Sequence, residues 1–213
     1  MPAVAIVEDH LLLAETLCTA LHQRGVDATV VPVQESAAML GALLDAAPDV
    51  VLLDLDLGRF GDSTPLIAPL SAAGIRVLVV TGVAERLRVA QAVEQGAFGI
   101  QPKALGFDAL LATATAVLAG VTVLDATDRA ALLTDLAQAR AERERACVAY
   151  RQLTAREQGT LQALGEGRSV HEIAGDWVLS EATVRTHVRG VLVKLGVGSQ
   201  LAAVAAARRR GWL

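Results

Sequence analysis

Residues 49–58 read DVVLLDLDLG, and the fold of the first half of the chain can be predicted from them. Its aliphatic run at 50–53 has the length of a buried strand, and Asp54 follows the run directly. Similar runs recur about every 25 residues along the first 120 residues, with helical patterns between them. This alternation predicts βαβ units around a parallel sheet, with Asp54 just past the end of a strand.

The remaining elements of this half follow from the same pattern. Gly25, Gly74 and Gly96 fall just past three of the helical patterns, where a left-handed C-cap residue is wanted. We predict strands at 4–7, 28–33, 50–53, 77–80 and 99–101, with helices near 12–24, 35–46, 64–73, 84–95 and 107–119. Five strands and five helices predict an α/β domain with a parallel sheet.

Polar residues that can carry chemistry stand at the ends of these strands. They are Glu8 and Asp9 after the first strand, Asp54 after the third, Thr81 after the fourth and Lys103 after the fifth. Ligands of open α/β sheets bind beyond the carboxyl ends of the strands, at the switch point, so these residues should converge. Carboxylates forced together repel unless a cation neutralises them, and oxygen ligands with an open position suit Mg²⁺.

Residues 3–120 resemble the receiver domain of bacterial two-component response regulators. The motifs that carry the resemblance are VEDH (7–10), DVVLLDLDLG (49–58), VLVVTG (77–82) and GAFGIQPK (96–103). The resemblance implies a flavodoxin-like, doubly wound sheet, and a sensor histidine kinase as the partner that phosphorylates the domain.

The resemblance also assigns roles around one site. The phosphoacceptor is Asp54, and the Mg²⁺ ligands are Glu8, Asp9, Asp54 and the backbone carbonyl of Asp56. Thr81 and Lys103 each bind a phosphoryl oxygen. These roles agree with the chemistry of phosphoryl transfer, which depends on positioning and on charge neutralisation.

Several positions depart from the receiver pattern. Ile100 stands where the family usually has an aromatic residue that swings inward with the threonine. Asp56 adds an acid, Gly58 replaces a customary proline, and Gln101 with Pro102 precedes Lys103 unusually. Without the aromatic residue, a signal must travel through Thr81, the loop after it and the packing of Ile100.

The last third of the chain carries helix-start signals. TARE (154–157) and SVHE (169–172) are capping boxes, Ser180 caps a further helix, and Gly196 ends it. On that helix an apolar stripe leaves Arg185, Thr186 and Arg189 on the other side. The stripe consists of Val184, Val188, Val191, Leu192 and Leu195.

Two arginines on one exposed helix face suit the major groove, where the guanidinium fork matches the acceptors of guanine. The alternative is an ordinary amphipathic helix with a solvated basic face. Residues 150–213 resemble, nearly end to end, the LuxR-type helix-turn-helix domain of the NarL and FixJ group. The resemblance implies base contacts by Arg185, Thr186 and Arg189, phosphate contacts by Thr183 and Lys194, and a homodimer on double-stranded DNA formed through the last helix.

Charge follows the same division of the chain. Net charge is −7 over 1–124, −1 over 125–149 and +4 over 150–213, so the first part suits a cation and the last a polyanion. We predict a receiver domain at 1–124, a helical linker at 125–149 and a small all-α helix-turn-helix domain at 150–213.

Other features set the expected compartment. No apolar stretch reaches the about 20 residues of a membrane span, and no basic segment precedes an apolar one at the N-terminus. The two cysteines are expected to be unpaired, and the four histidines form no ligand-spaced cluster. We therefore expect a cytoplasmic protein that does not act at a membrane.

Two other functions compete with a phosphorylated regulator. DLDLG (54–58) resembles the nucleophile motif of haloacid-dehalogenase-like phosphatases, but that family places its nucleophile on the first strand and its metal acids last. We therefore predict a switch and not an enzyme. The other alternative is a regulator that is never phosphorylated and senses a small molecule or a partner protein, which Ile100 and Asp56 keep open.

Overall fold

The structure is a computed structural model that describes residues 3–82 and 85–213. The chain divides into two compact units, Met1–Ala137 and Gln138–Leu213. The division falls inside one helix, α6, which runs from Ala126 to Arg151 over the stretch predicted as a linker. The domain limits at 124 and 149 stay predictions.

The first unit contains the predicted five-stranded parallel sheet, in the order β2-β1-β3-β4-β5. Strand order reverses beside β1, so the carboxyl ends of β1 and β3 border the switch point. The strands are β1 Ala3–Val7, β2 Asp27–Val30, β3 Val50–Asp54, β4 Arg76–Thr81 and β5 Gly99–Pro102. The helices are α1 Leu11–His22, α2 Ser36–Ala46, α3 Ile67–Ala72, α4 Arg86–Glu94 and α5 Phe107–Leu118.

Both faces of the sheet are covered, which makes the fold doubly wound. Side chains alternate along β3, so Val51 and Leu53 join the core on one face while Val50 and Leu52 join the core on the other. All four are buried. Asp54 follows as the last residue of β3 and is itself buried.

Prolines account for two differences from the predicted elements. β2 ends at Val30 rather than at residue 33, because Pro32 has no N–H to continue the ladder. In place of the helix predicted at 64–73, the structure has a 3₁₀ turn, Thr64–Leu66, followed by α3. Pro65 lies in the turn and Pro69 lies in α3. The predicted first residue of the fourth helix, Ala84, lies outside the described residues, and α4 begins at Arg86.

The second unit is helical. After α6 come α7 Ala155–Gly165, α8 Val170–Asp176, α9 Glu181–Leu195 and α10 Gln200–Arg209. Both predicted capping boxes are confirmed, Ser180 caps α9 through the Thr183 N–H, and Gly196 ends α9 at φ 66°. Within the described ranges, no single helix is long and apolar enough to span a membrane; α9 with α10, bent by 55°, passes as a pair on length and composition alone.

Candidate functional site

An acidic cluster forms where β1 and β3 end. Glu8, Asp9, His10 and Asp54 each place one ligand atom so that these atoms lie within 4.8 Å of one another. Glu8 and Asp54 are 6% and 5% exposed, whereas Asp9 and His10 lie at the surface. Two of the carboxylates are thus held by the core, and the cluster opens to solvent through the other two side chains.

Lys103, which follows β5, joins the two buried carboxylates. Its Nζ lies 2.7 Å from Asp54 Oδ2 and 2.8 Å from Glu8 Oε1. Burial raises the pKa of Asp54, and the hydrogen bond from Lys103 opposes part of that rise. Burial would lower the pKa of Lys103, but its hydrogen bonds to Asp54 and Glu8 raise it overall. The lysine therefore stays protonated and is the resting counter-ion of the cluster.

His10 is a member of the cluster that sequence reasoning does not single out. Its Nδ1 lies 2.9 Å from Glu8 Oε1 and 2.8 Å from Asp9 Oδ1. Hydrogen bonding to Glu8, with the charge of Asp9, raises the pKa of His10. The signal for it was its position directly after two acids in VEDH.

The loop after Asp54 folds tightly over the cluster. The Asp56 N–H donates to Asp54 Oδ1 at 3.2 Å, and Asp56 pairs with Asp62 in an isolated antiparallel bridge. Gly58 has φ +56°, and a Cβ at this position would lie 2.9 Å from Asp9 Oδ2. The glycine thus lets the backbone pass close to an acid of the cluster, in a conformation that L side chains rarely adopt.

A cleft of about 200 Å³ opens above Asp54. Thr81, the last residue of β4, is 7% exposed and lines it with Lys103, Asp56 and Arg88. Arg88, on α4, is a second residue that the sequence analysis did not identify. The cleft therefore combines carboxylates, a hydroxyl and two cationic side chains.

A cavity lies beside Ile100, the position where the receiver family usually has a larger, aromatic side chain. Ile100 is partly buried and touches the cores on two sides. The cavity beside it is mainly apolar, has a volume of about 360 Å³ and is lined by Thr81, Val89, Ile100 and Leu132 among others. With isoleucine at position 100, unfilled volume thus lies next to Thr81.

We expect Asp54→Asn to raise the free energy of unfolding of the metal-free protein at pH 7. Because burial raises the pKa of Asp54, its ionisation costs stability as pH rises from the unfolded pKa through the folded pKa. The asparagine removes this cost, and Lys103 keeps Glu8 as a partner. Urea unfolding with a chelator measures the gain, which should shrink near pH 4; a variant less stable than wild type at pH 7 would contradict it.

A second cluster lies on α9. Arg185, Thr186 and Arg189 are exposed on the face opposite Val184 and Val188, which are buried. Arg185 Nη2 lies 2.7 Å from Glu181 Oε2, one turn earlier. This pair is exposed and screened by solvent, so it does not hold Arg185 away from an incoming anion.

Thr183 and Lys194, predicted to contact phosphates, differ in setting. Thr183 is exposed in the first turn of α9, with its hydroxyl 2.8 Å from Ser180 Oγ. Lys194 Nζ lies 2.6 Å from Glu157 Oε2, so the ammonium would have to leave this carboxylate to bind phosphate. Although burial opposes it, the Lys194 and Thr154 hydrogen bonds hold the pKa of Glu157 below its usual range.

The backbone of α9 approaches the same glutamate. A Cβ on Gly190 would lie 2.2 Å from Glu157 Oε1 and 3.2 Å from Glu157 Cδ. Glu157 is 8% exposed and closes the capping box of α7. The glycine therefore allows α7 and α9 to pack closely.

The fold and the two clusters indicate the class of protein. One domain is a parallel sheet with an acidic cluster and a lysine, and the chain continues into a helical unit that exposes an arginine-bearing helix. Two family models match the chain, the response regulator receiver domain at 4–115 and the bacterial regulatory proteins of the luxR family at 151–207. The chain therefore belongs to the two-component response regulators of the NarL/FixJ type and is a DNA-binding transcription regulator.

Individual relatives agree over nearly the whole chain. The probable transcriptional regulatory protein NarL of Mycobacterium tuberculosis is 32% identical, over 97% of this chain and 94% of its own length. The nitrate/nitrite response regulator protein homolog of Haemophilus influenzae is 29% identical, over 94% and 93%. A solved structure of the RcsB response regulator of Salmonella typhimurium has a TM-score of 0.51 at 21% identity, over 98% of this chain and 100% of that chain, and shares the fold.

Proposed function

We propose that a sensor histidine kinase phosphorylates Asp54 in a Mg²⁺-dependent step, and that this modification controls DNA binding through α9. The observation that carries the proposal is the Lys103 ammonium, 2.7 Å from the Asp54 carboxylate in a cleft that Thr81 also lines. A cationic donor and a hydroxyl beside a carboxylate are what a phosphoryl group requires of its surroundings.

The donor set suits magnesium. Glu8, Asp9 and Asp54 offer carboxylate oxygens within 4.8 Å of one another, and the cluster is open on the side of Asp9. Hard oxygen ligands with room for water and for substrate oxygens are the preference of this ion. The backbone carbonyl of Asp56 is the remaining proposed ligand, because the loop that carries it folds back onto Asp54. When bound, Mg²⁺ neutralises charge on the phosphoryl oxygens.

The chain's own residues then have defined tasks. An Asp54 carboxylate oxygen forms a bond to phosphorus while the bond from phosphorus to the kinase histidine nitrogen breaks, and that nitrogen keeps the electron pair. Lys103 holds one phosphoryl oxygen by a charge-assisted hydrogen bond. The Thr81 hydroxyl donates to another. Because Asp54 is held by Lys103 and by the Asp56 N–H, its carboxylate is already oriented before the donor arrives.

The output side of the proposal concerns α9 and α10. Arg185, Thr186 and Arg189 read base edges, and Thr183 and Lys194 position the helix on phosphates. Leu201, on α10, is 80% exposed, which supports a homodimer formed through this helix. We retain 1–124 as the receiver domain, 125–149 as the linker, and 150–213 as the DNA-binding domain.

Intact-mass measurement after incubation with acetyl phosphate and Mg²⁺ tests the phosphorylation step. We expect one phosphoryl adduct on the wild type, and none on Asp54→Asn or in the presence of a chelator. Asp49→Asn is the matched control, because Asp49 precedes the same strand at its other end and bonds the Ala3 N–H at 2.8 Å. Absence of an adduct on the wild type, or an adduct that persists in Asp54→Asn, would refute the proposal.

A regulator that senses a small apolar molecule without phosphorylation is the second candidate. One observation favours it, the 360 Å³ cavity beside Ile100 and Thr81. This function predicts DNA binding that is the same in wild type and Asp54→Asn, with or without acetyl phosphate. A phosphorylation-dependent change in DNA affinity that Asp54→Asn abolishes would exclude it.

A further inference from the structure

Arg88 reaches from the first turn of α4 into the cleft above Asp54. Its side chain is 25% exposed and lines the cleft together with Asp54, Thr81 and Lys103. A guanidinium in this position is a third group, after Lys103 and Thr81, that can meet an oxyanion on Asp54.

The guanidinium is held at rest by two acceptors on the loop after β3. Nη2 donates to the Leu55 carbonyl at 2.8 Å and to Asp62 Oδ1 at 3.0 Å. Leu55 directly follows Asp54, so the first bond keeps Arg88 beside the phosphoacceptor. Both bonds start from the same nitrogen, whereas an arginine presents five N–H donors in a planar fork.

Asp62 competes for the Arg88 guanidinium, but it is a partner that a phosphoryl group can displace. Its side chain is 48% exposed, and the same oxygen already accepts from the Thr64 N–H at 3.1 Å and the Thr64 hydroxyl at 2.6 Å. A half-exposed ion pair of this kind contributes little. A phosphoryl group brings a charge of about −2 and several strong acceptor oxygens, for which a guanidinium is the preferred partner.

We propose that Arg88 is a further phosphoryl-binding residue, which exchanges Asp62 for an oxygen of the phosphoryl group on Asp54. This inference rests on the proposed phosphorylation of Asp54. The exchange involves only hydrogen bonds: Nη2 leaves the Asp62 carboxylate, which remains bonded to Thr64, and the fork turns toward the phosphoryl oxygens.

The same helix turn links the cleft to α6. Arg86 pairs with Asp135, and Ala90 and Val93 of α4 pack against Leu132 and Leu136. A displacement of Arg88 toward Asp54 therefore acts on a helix whose other side holds the beginning of α6. In a chain with Ile100 in place of an aromatic residue, this gives the phosphoryl group a route to α4 that does not pass through position 100.

Titration with beryllofluoride, a phosphoryl mimic, in the presence of Mg²⁺ and followed by fluorine NMR, tests the exchange. We expect Arg88→Ala to bind about ten-fold or more weakly, because it loses a charge-assisted hydrogen bond. Asp62→Asn should bind more tightly, because it removes the competing carboxylate and keeps an acceptor for Thr64. In the Arg88→Ala background this gain should largely disappear, since the competition requires the guanidinium.

Arg86→Ala is the matched control. This substitution removes the same charge from the same turn of α4 as Arg88→Ala does. In the wild type, Arg86 pairs with Asp135 and does not line the cleft above Asp54. The affinity of Arg86→Ala for beryllofluoride should equal that of the wild type. If Arg88→Ala does not fold, as judged by its unfolding curve, Asp62→Asn alone decides by the sign of its effect.

The outcomes separate the inference from the proposed function. The role of Arg88 is overturned, and phosphorylation is left intact, by either of two results. In the first, Arg88→Ala binds beryllofluoride as tightly as the wild type does; in the second, Asp62→Asn binds it no more tightly than the wild type. Wild type that neither binds beryllofluoride nor gains an acetyl phosphate adduct overturns the proposed function itself.

Discussion

The free energy of specific DNA binding is expected to weaken by about 2 to 6 kcal/mol when Arg185 and Arg189 are both replaced by alanine. The two side chains are exposed, four residues apart, on the face of α9 opposite its buried valines. Each alanine removes a guanidinium that could contact two guanine acceptors at once, at about 1 to 3 kcal/mol. Because the proposed function gives each arginine its own base contact, we expect the losses to be roughly additive.

Fluorescence anisotropy on a duplex selected from a random pool measures this loss, at one fixed salt concentration and against an unselected duplex. Arg156→Ala is the control for charge, since Arg156 is an exposed arginine on α7 that stacks over Trp177. A loss confined to the selected duplex indicates base contacts. An equal loss on both duplexes, with a shallower salt dependence, would mean that the arginines contact only phosphates.

The second large effect is expected from Gly190→Ala, which should lower the free energy of unfolding of the C-terminal unit by about 2 kcal/mol. The new Cβ would meet Glu157 Oε1 at 2.2 Å, and this carboxylate is anchored by the Thr154 N–H at 2.7 Å and by Lys194. Alanine gains about 1 kcal/mol in helix propensity over glycine, so the net loss is smaller than the overpacking alone.

Urea unfolding followed by tryptophan fluorescence reads this unit alone, because the two tryptophans of the chain, Trp177 and Trp212, both belong to it. Gly175→Ala is the matched control, since a Cβ on this α8 residue meets nothing within 4 Å. The control should be as stable as the wild type or slightly more stable. A Gly190→Ala protein equal to the control would show that Glu157 can move without cost.

Much of the sheet and of the cluster followed from local patterns. Each predicted strand overlaps a strand of the structure, and the acids at the ends of β1 and β3 meet because the parallel topology brings those ends together. The errors came from backbone chemistry that competes with hydrophobic pattern, as at Pro32, which stops β2 early. The sequence shows where a run of aliphatic residues can form a strand. The residue at which that strand ends depends on its backbone hydrogen bonds to the neighbouring strand.

Contacts between distant segments were not predictable. Arg88 lies 34 residues after Asp54, and only the packing of α4 brings its guanidinium into the cleft. Lys194 looked available for phosphate because its partner, Glu157, is 37 residues away in sequence. The close packing at Gly190 was not predictable either. A glycine within a helix lowers helix propensity, and its packing role becomes visible only when the neighbouring helix is known.

The pairing of Lys103 with two carboxylates has a consequence for electroneutrality. Three carboxylates and one ammonium leave two negative charges, which a single divalent ion cancels. Replacing the charge of Asp54 by a phosphoryl group of about −2 adds one negative charge, which Arg88 would meet by leaving the Asp62 carboxylate without its cationic partner. Under these proposals, phosphorylation moves the uncompensated negative charge from the buried Asp54 to Asp62, whose side chain is half exposed and can be solvated there.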